Sequence, residues 1–212
     1  MKKSLFTIAL VAISFLSFSQ SEKFQKAMEQ NIAQFDAAKT AADFLSVGSN
    51  FERIAEAEKN QWLPYYYAAL SNILIGFTDE KSDKDEIGNK ADELIAKAET
   101  LEPKNSEIVL LRGMSATLHM MVDPMGRWQQ YGMMQREAME TAKKLDASNP
   151  RTYYWEGQNL MNTPAQFGGG KDVAKPIFEK AVSLYKTFKP VNNLYPTWGK
   201  EITERLLAEC SK

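Results

Sequence analysis

The chain has 212 residues but one cysteine and one histidine. Cys210, two residues from the C-terminus, has no partner for an internal disulfide, so stability rests on packing. Its thiol is either a small apolar residue of the last helix or a link between chains. With His119 as the sole imidazole, no multi-histidine metal site can form, and the usual nucleophile systems are absent. Basic residues are not in excess: 26 Lys and Arg stand against 27 Asp and Glu. Nothing there would draw on nucleic-acid phosphates, so no nucleic-acid partner is expected. Past the N-terminus no apolar run is long enough to span a membrane. Strand alternation is missing as well, which leaves helix as the only regular structure.

The N-terminus reads as an address rather than as fold. Lys2 and Lys3 precede an almost wholly apolar stretch from Leu5 to Leu16, and Ser17 and Ser19 are the small residues a signal peptidase needs. Cleavage is expected before Gln20, giving a signal peptide over residues 1–19 and one helical domain over 20–212. The alternative, a retained anchor helix, suits the short apolar stretch less well. Gln20 stands where a lipoprotein would need Cys. Removing the leader takes away two Lys and no acid, moving the formal net charge from −1 to −3. The expected location is the periplasm or the exterior.

What the chain does have is helical periodicity. Phe24, Met28, Ile32 and Phe35 step by three and four, as do Phe44, Val47, Phe51 and Ile54, each series marking one apolar stripe. Trp62–Phe77 is apolar nearly throughout, with Pro64 suited to its first turn. Further helices are predicted over Glu86–Leu101, Ser106–Val122, Arg127–Leu145, Pro150–Met161, Asp172–Phe188 and Trp198–Cys210, about eight or nine in all. Glu102-Pro103 and Asn149-Pro150 are stop signals.

One spacing frame recurs. Ala91, Ile95, Ala98, Leu101 and Pro103 stand at intervals of 4, 3, 3 and 2. Ala174, Phe178, Ala181 and Leu184 repeat the first four, and Met139, Ala142 and Leu145 the middle three. Gly113 and Gly157 each follow a frame leucine by 12 residues. This arrangement resembles the tetratricopeptide repeat, whose small residues let two antiparallel helices pack closely and whose Pro ends the second. The resemblance covers roughly residues 43–188 and implies an all-α, TPR-like solenoid of helical hairpins. Ala147 replaces one expected Pro, and Tyr153 takes the place of the usual Trp.

The frame is stretched. Ala57 to Ala98 is 41 residues, Ala98 to Ala142 is 44 and Ala142 to Ala181 is 39, against a repeat of about 34. The surplus, roughly 7, 10 and 5 residues on that repeat length, falls between the first and second helix of each unit. The segments are Thr78–Asp85, Val122–Arg127 with lengthened flanking helices, and Asn162–Lys171. All three turns are expected on one edge of the solenoid, where insertions build binding surface. Neutral drift in loop length would produce the same pattern.

Three motifs bear on chemistry. Phe167-Gly168-Gly169-Gly170-Lys171 has no preceding strand and no Ser or Thr after its Lys, so it is not a phosphate loop. Asp172 is expected to cap the next helix. The run Thr163–Lys171 also resembles the corresponding turn in periplasmic TPR-like components of substrate-transport systems. Met114, Met120, Met121, Met125, Met133, Met134, Met139 and Met161 cluster around His119. Thioether and imidazole together can hold Cu(I), but Met114, Met121 and Met125 also follow a helical stripe, and Met fills core gaps. No metal or cofactor is assigned. Finally, Tyr65, Tyr66 and Tyr67 point three ways from one helix, as do Tyr153, Tyr154 and Trp155.

Without a catalytic constellation, the expectation is a non-enzymatic exported scaffold that binds a protein or peptide. Its contacts would come from the first helices of each unit and from Arg127, Trp128, Tyr131, Phe167 and Lys171 on the insertion edge; an Arg–Trp–Tyr group is typical of interaction hot spots. The alternative is a small-ligand-binding component of an envelope transport system, with a closed apolar pocket between helices.

Overall fold

Short polar side chains set the helix starts. Helix α1 runs over 22–37, and Thr40 forms a capping box with Asp43 to open α2 (Ala41–Ala57). After α3 (Trp62–Thr78), Asp83 caps α4 (Lys84–Leu101), Asn105 caps α5 (Ser106–Met120) and Asp123 caps α6 (Pro124–Leu145). Asn149 caps α7 (Pro150–Asn162), a 3-10 turn follows at Ala165–Phe167, and α8 (Lys171–Thr187) and α9 (Lys200–Glu209) end the chain. Each cap satisfies first-turn N–H groups that the helix itself leaves unpaired. The computed structural model describes residues 22–212. The expected signal peptide and its cleavage point lie outside the described residues. Among the described residues there is no strand, and no helix is long and apolar enough to cross a membrane.

The predicted helices are present, with ends that differ by a few residues. Two starts differ for a physical reason. Pro124, at a position where its missing N–H costs nothing, begins α6 one turn before Arg127. Asp172 is not a cap: Gly170, with φ of 105°, precedes α8, and Asp172 sits in the first turn, where its charge suits the helix dipole.

Helices pair as hairpins: α2 with α3, α3 with α4, α5 with α6, α7 with α8, and α9 on α8. The frame residues do what the spacing implies. Ala91, Ala98, Ala142, Ala174 and Ala181 are buried. A Cβ on Gly157 would come 2.8 Å from the Phe178 ring of the partner helix, and one on Gly113 would collide with Met139. One hydrophobic cluster runs from Met28 to Cys210. Tyr66 and Tyr67 are both fully inside it, whereas Tyr65 is half-buried and donates its hydroxyl to the Ala55 carbonyl at 3.1 Å.

Residues 188–199 form a strap between α8 and α9 that lies across the starts of α3, α5 and α7. Tyr67 donates to the Leu194 carbonyl at 3.2 Å, Trp198 Nε1 donates to Tyr66 Oη at 2.9 Å, and Tyr185 donates to the Trp198 carbonyl at 3.0 Å. Asn193 reaches Glu29 of α1. Beneath the strap is a buried ion pair. Arg151, 0% exposed, donates Nε to both Glu107 oxygens at 2.9 Å and Nη2 to Oε1 at 2.6 Å. Burial works against the Arg151 charge, but the Glu107 carboxylate outweighs it and raises its pKa. The guanidinium also lies 4.5 Å from the Phe188 ring centroid. The caps place both partners, since Asn105 accepts from Glu107 N and Asn149 from Arg151 N. The starts of the first helices are therefore covered by the chain itself.

Candidate functional site

Three helix ends meet at the insertion edge. The Asp83 cap puts Asp85 in the first turn of α4, His119 lies in the last turn of α5, and the Asp123 cap puts Arg127 one turn into α6. Arg127 Nη1 donates to Asp85 Oδ1 and Oδ2 at 2.7 and 2.8 Å and to the His119 carbonyl at 3.1 Å. His119 Nδ1 lies 2.7 Å from Asp85 Oδ1, and Nε2 lies 3.3 Å from Asp92 Oδ2. Ser115 donates to the other Asp92 oxygen at 2.6 Å. Tyr131 of α6 stacks on the imidazole, with centroids 5.1 Å apart. The Arg127 hydrogen bond, followed by that of His119, holds the Asp85 carboxyl down to about 2. Charge and hydrogen bonding thus tie α4, α5 and α6 together at one point.

Spacing placed neither Asp85 nor His119 in this cluster. His119 is 5% exposed, and Nε2 faces the α4 backbone so closely that a Cβ on Gly88 would come within 2.6 Å of it. Each ring nitrogen already has a carboxylate partner, Nδ1 with Asp85 and Nε2 with Asp92. Among the described residues, no group of three or more His, Cys, Asp or Glu could hold a metal ion.

Beside the cluster, α4, α5 and α6 border a groove of about 260 Å³ lined by Asp92, Ile95, Arg112, Ala116, His119 and Met134. It is open to solvent, not the closed apolar pocket expected for small-ligand binding. Arg112, at its rim, pairs with Glu99.

The second feature is an exposed apolar surface on α6. Its buried stripe is short: Ala138, Met139 and Ala142. His119 stacks on Tyr131 and Gly113 faces Met139, so the α6 residues before about 130 overhang the end of α5. The surplus in this repeat is thus built as extra helix. The helix packs closely on α5 and only lightly on α7. Met125 is 80% exposed and Trp128 54%; Met133 and Met134 on the helix, and Met121 and Val122 just before it, are exposed too. The reading of Met121 and Met125 as core residues is therefore corrected. Met114 of the same series is buried, but the other two lie where no described helix covers them.

The five predicted contact residues fall into two groups. Arg127 and Tyr131 belong to the polar cluster, and Trp128 projects beside them. Phe167, 68% exposed, sits on the 3-10 turn, and Lys171 donates to the Glu209 carbonyl of α9 at 2.9 Å. Thr117 and Asn159, 3.4 Å apart, bring the ends of α5 and α7 together, so both turns share one edge. Asp85, Met125 and Met133 were missed. For the methionines the available signal was apolar residues lying off the stripe marked by Ala138 and Ala142.

No family model matches the chain, and no curated protein matches it. Among solved structures, the chain is similar to the HusA haemophore from Porphyromonas gingivalis. The two are 35% identical with a TM-score of 0.80, over 88% of this chain and 92% of that one. The chain belongs to the HusA haemophore family. Identity of this size over nearly the whole of HusA makes the all-α fold a shared one. The match does not place the chain in the tetratricopeptide repeat family.

Proposed function

We propose that this protein is an exported, non-enzymatic carrier of haem or a closely related macrocycle. The observation that carries this reading is the near full-length similarity to a haemophore. It favours the small-ligand alternative over a protein-binding scaffold. The exposed α6 surface supports it, because an apolar patch left open on a folded chain commonly marks a binding site. A flat aromatic macrocycle suits this surface: Trp128 offers a ring to stack on, and Met125 and Met133 offer polarisable thioethers. Binding pockets for small molecules usually measure about 300–1,000 Å³, and the adjoining groove is about 260 Å³. At this groove the macrocycle would lie against the surface with one side in water.

The remaining parts follow from this reading. A cleavable leader over residues 1–19 takes the chain to the periplasm or the exterior, and 20–212 works as one TPR-like helical domain. Trp128, with Phe167 on the neighbouring turn, forms the contact edge. A protein partner would use the same edge, since the strap covers the starts of the first helices. Titrating the leader-free chain with haemin and following absorbance and tryptophan emission tests the proposal. Saturable spectral change is expected; a linear rise with no plateau would argue for adventitious adsorption and against a carrier.

A further inference from the structure

We infer that the Asp85–His119–Arg127 cluster is a latch that positions the ligand-bearing face of α6, and that His119 acts through this latch and not as an iron ligand. The inference rests on the haem-carrier reading for its ligand and on the geometry for its mechanism. The first turns of α6 overhang α5 and carry Met125 and Trp128. Packing alone does not hold them, because the buried stripe of α6 begins at Ala138. Arg127 is the tie: one nitrogen contacts Asp85 of α4 and the His119 carbonyl of α5. Tyr131 adds a stacked contact to the His119 ring one turn further on.

His119 is built for this role. Nδ1 meets Asp85 and Nε2 faces Asp92, so the ring clamps two acidic side chains of α4 to α5. An axial ligand needs a nitrogen lone pair aimed at open space. Here one nitrogen is taken at 2.7 Å, and the other faces the Gly88 backbone in a site 5% exposed. His119 and Arg127 are positioning residues.

The test compares the leader-free wild type with Asp85→Asn, Arg127→Gln, the double variant and His119→Gln. Amide hydrogen exchange without ligand reads the latch. Residues 124–132 should exchange about threefold to fivefold faster in the single variants, with α7–α9 unchanged. Haemin affinity should fall about threefold to fivefold in each single variant and little further in the double, as expected of residues acting through one contact. The visible and EPR spectra of haemin-saturated His119→Gln should match those of wild type. Unchanged exchange in 124–132, full haemin affinity despite a freed α6, or loss of a nitrogen-ligand signature in His119→Gln would each overturn the inference. Wild type that fails to bind haemin overturns the carrier reading instead, and the exchange data then judge the latch alone.

Discussion

Arg127 of α6 holds both oxygens of Asp85 of α4, at 2.7 and 2.8 Å, across 42 residues of sequence. The contact joins two successive hairpins at the edge where the chain is longer than its repeat. It also makes one carboxylate unusually acidic, with a consequence for stability.

Asp85 is held at about 2, below the usual carboxylate value of about 3.9. The folded state therefore favours the charged form. Its contribution is complete above pH of about 4 and disappears as pH falls toward about 2. The side chain is 35% exposed, so after solvent screening the gain is under about 1 kcal/mol. Urea unfolding of wild type and Asp85→Asn should differ at pH 6 and converge near pH 2.5. A gap that widens in acid would contradict the assignment.

Trp128→Ala should separate binding from stability. The side chain is exposed, so unfolding free energy should change by no more than about 0.5 kcal/mol. Haemin affinity should drop about tenfold or more, a loss typical of a central aromatic contact. Equal affinity would remove Trp128 from the site.

Arg151→Met should act in the opposite way. It leaves Glu107 buried and uncompensated, which costs about 3–5 kcal/mol. For a chain of this length that lowers Tm by roughly 10 °C. Pairing it with Glu107→Leu should recover much of the loss. If the single variant melts like wild type, the ion pair under the strap does not hold the fold.

Gly88→Ala opposes two effects. Alanine improves helix propensity by about 1 kcal/mol. Its Cβ, however, would lie 2.6 Å from His119 Nε2, in a ring held by Asp85 and Tyr131. Overpacking of this kind costs about 1–3 kcal/mol, so a net loss of stability is expected. Thermal melts decide it, and a higher Tm would show that the ring can move.

The helices were legible because burial imposes a period. Ala91, Ala98, Ala142, Ala174 and Ala181 must be small where helices touch, and their spacing survives in the sequence. The lengthened turns Val122–Arg127 and Asn162–Lys171 do share one edge in the structure, as their spacing implied. Of the polar cluster only Arg127 and Tyr131 stood out, as part of an Arg–Trp–Tyr group. Asp85, His119 and Arg127 lie 34 and 8 residues apart and meet only once three helix ends are placed. The exposed methionines were misread because thioethers suit a core and a binding surface equally. The strap was invisible too: Tyr67 and Leu194 are 127 residues apart, and the contact is to a backbone carbonyl.

The most direct test of haem carriage on α6 is a hydrogen-exchange footprint of the leader-free chain with and without haemin. Protection is expected over residues 121–136, centred on Met125 and Trp128, with the strap at 188–199 unchanged. Protection confined to the strap, or none anywhere under saturating haemin, would contradict it.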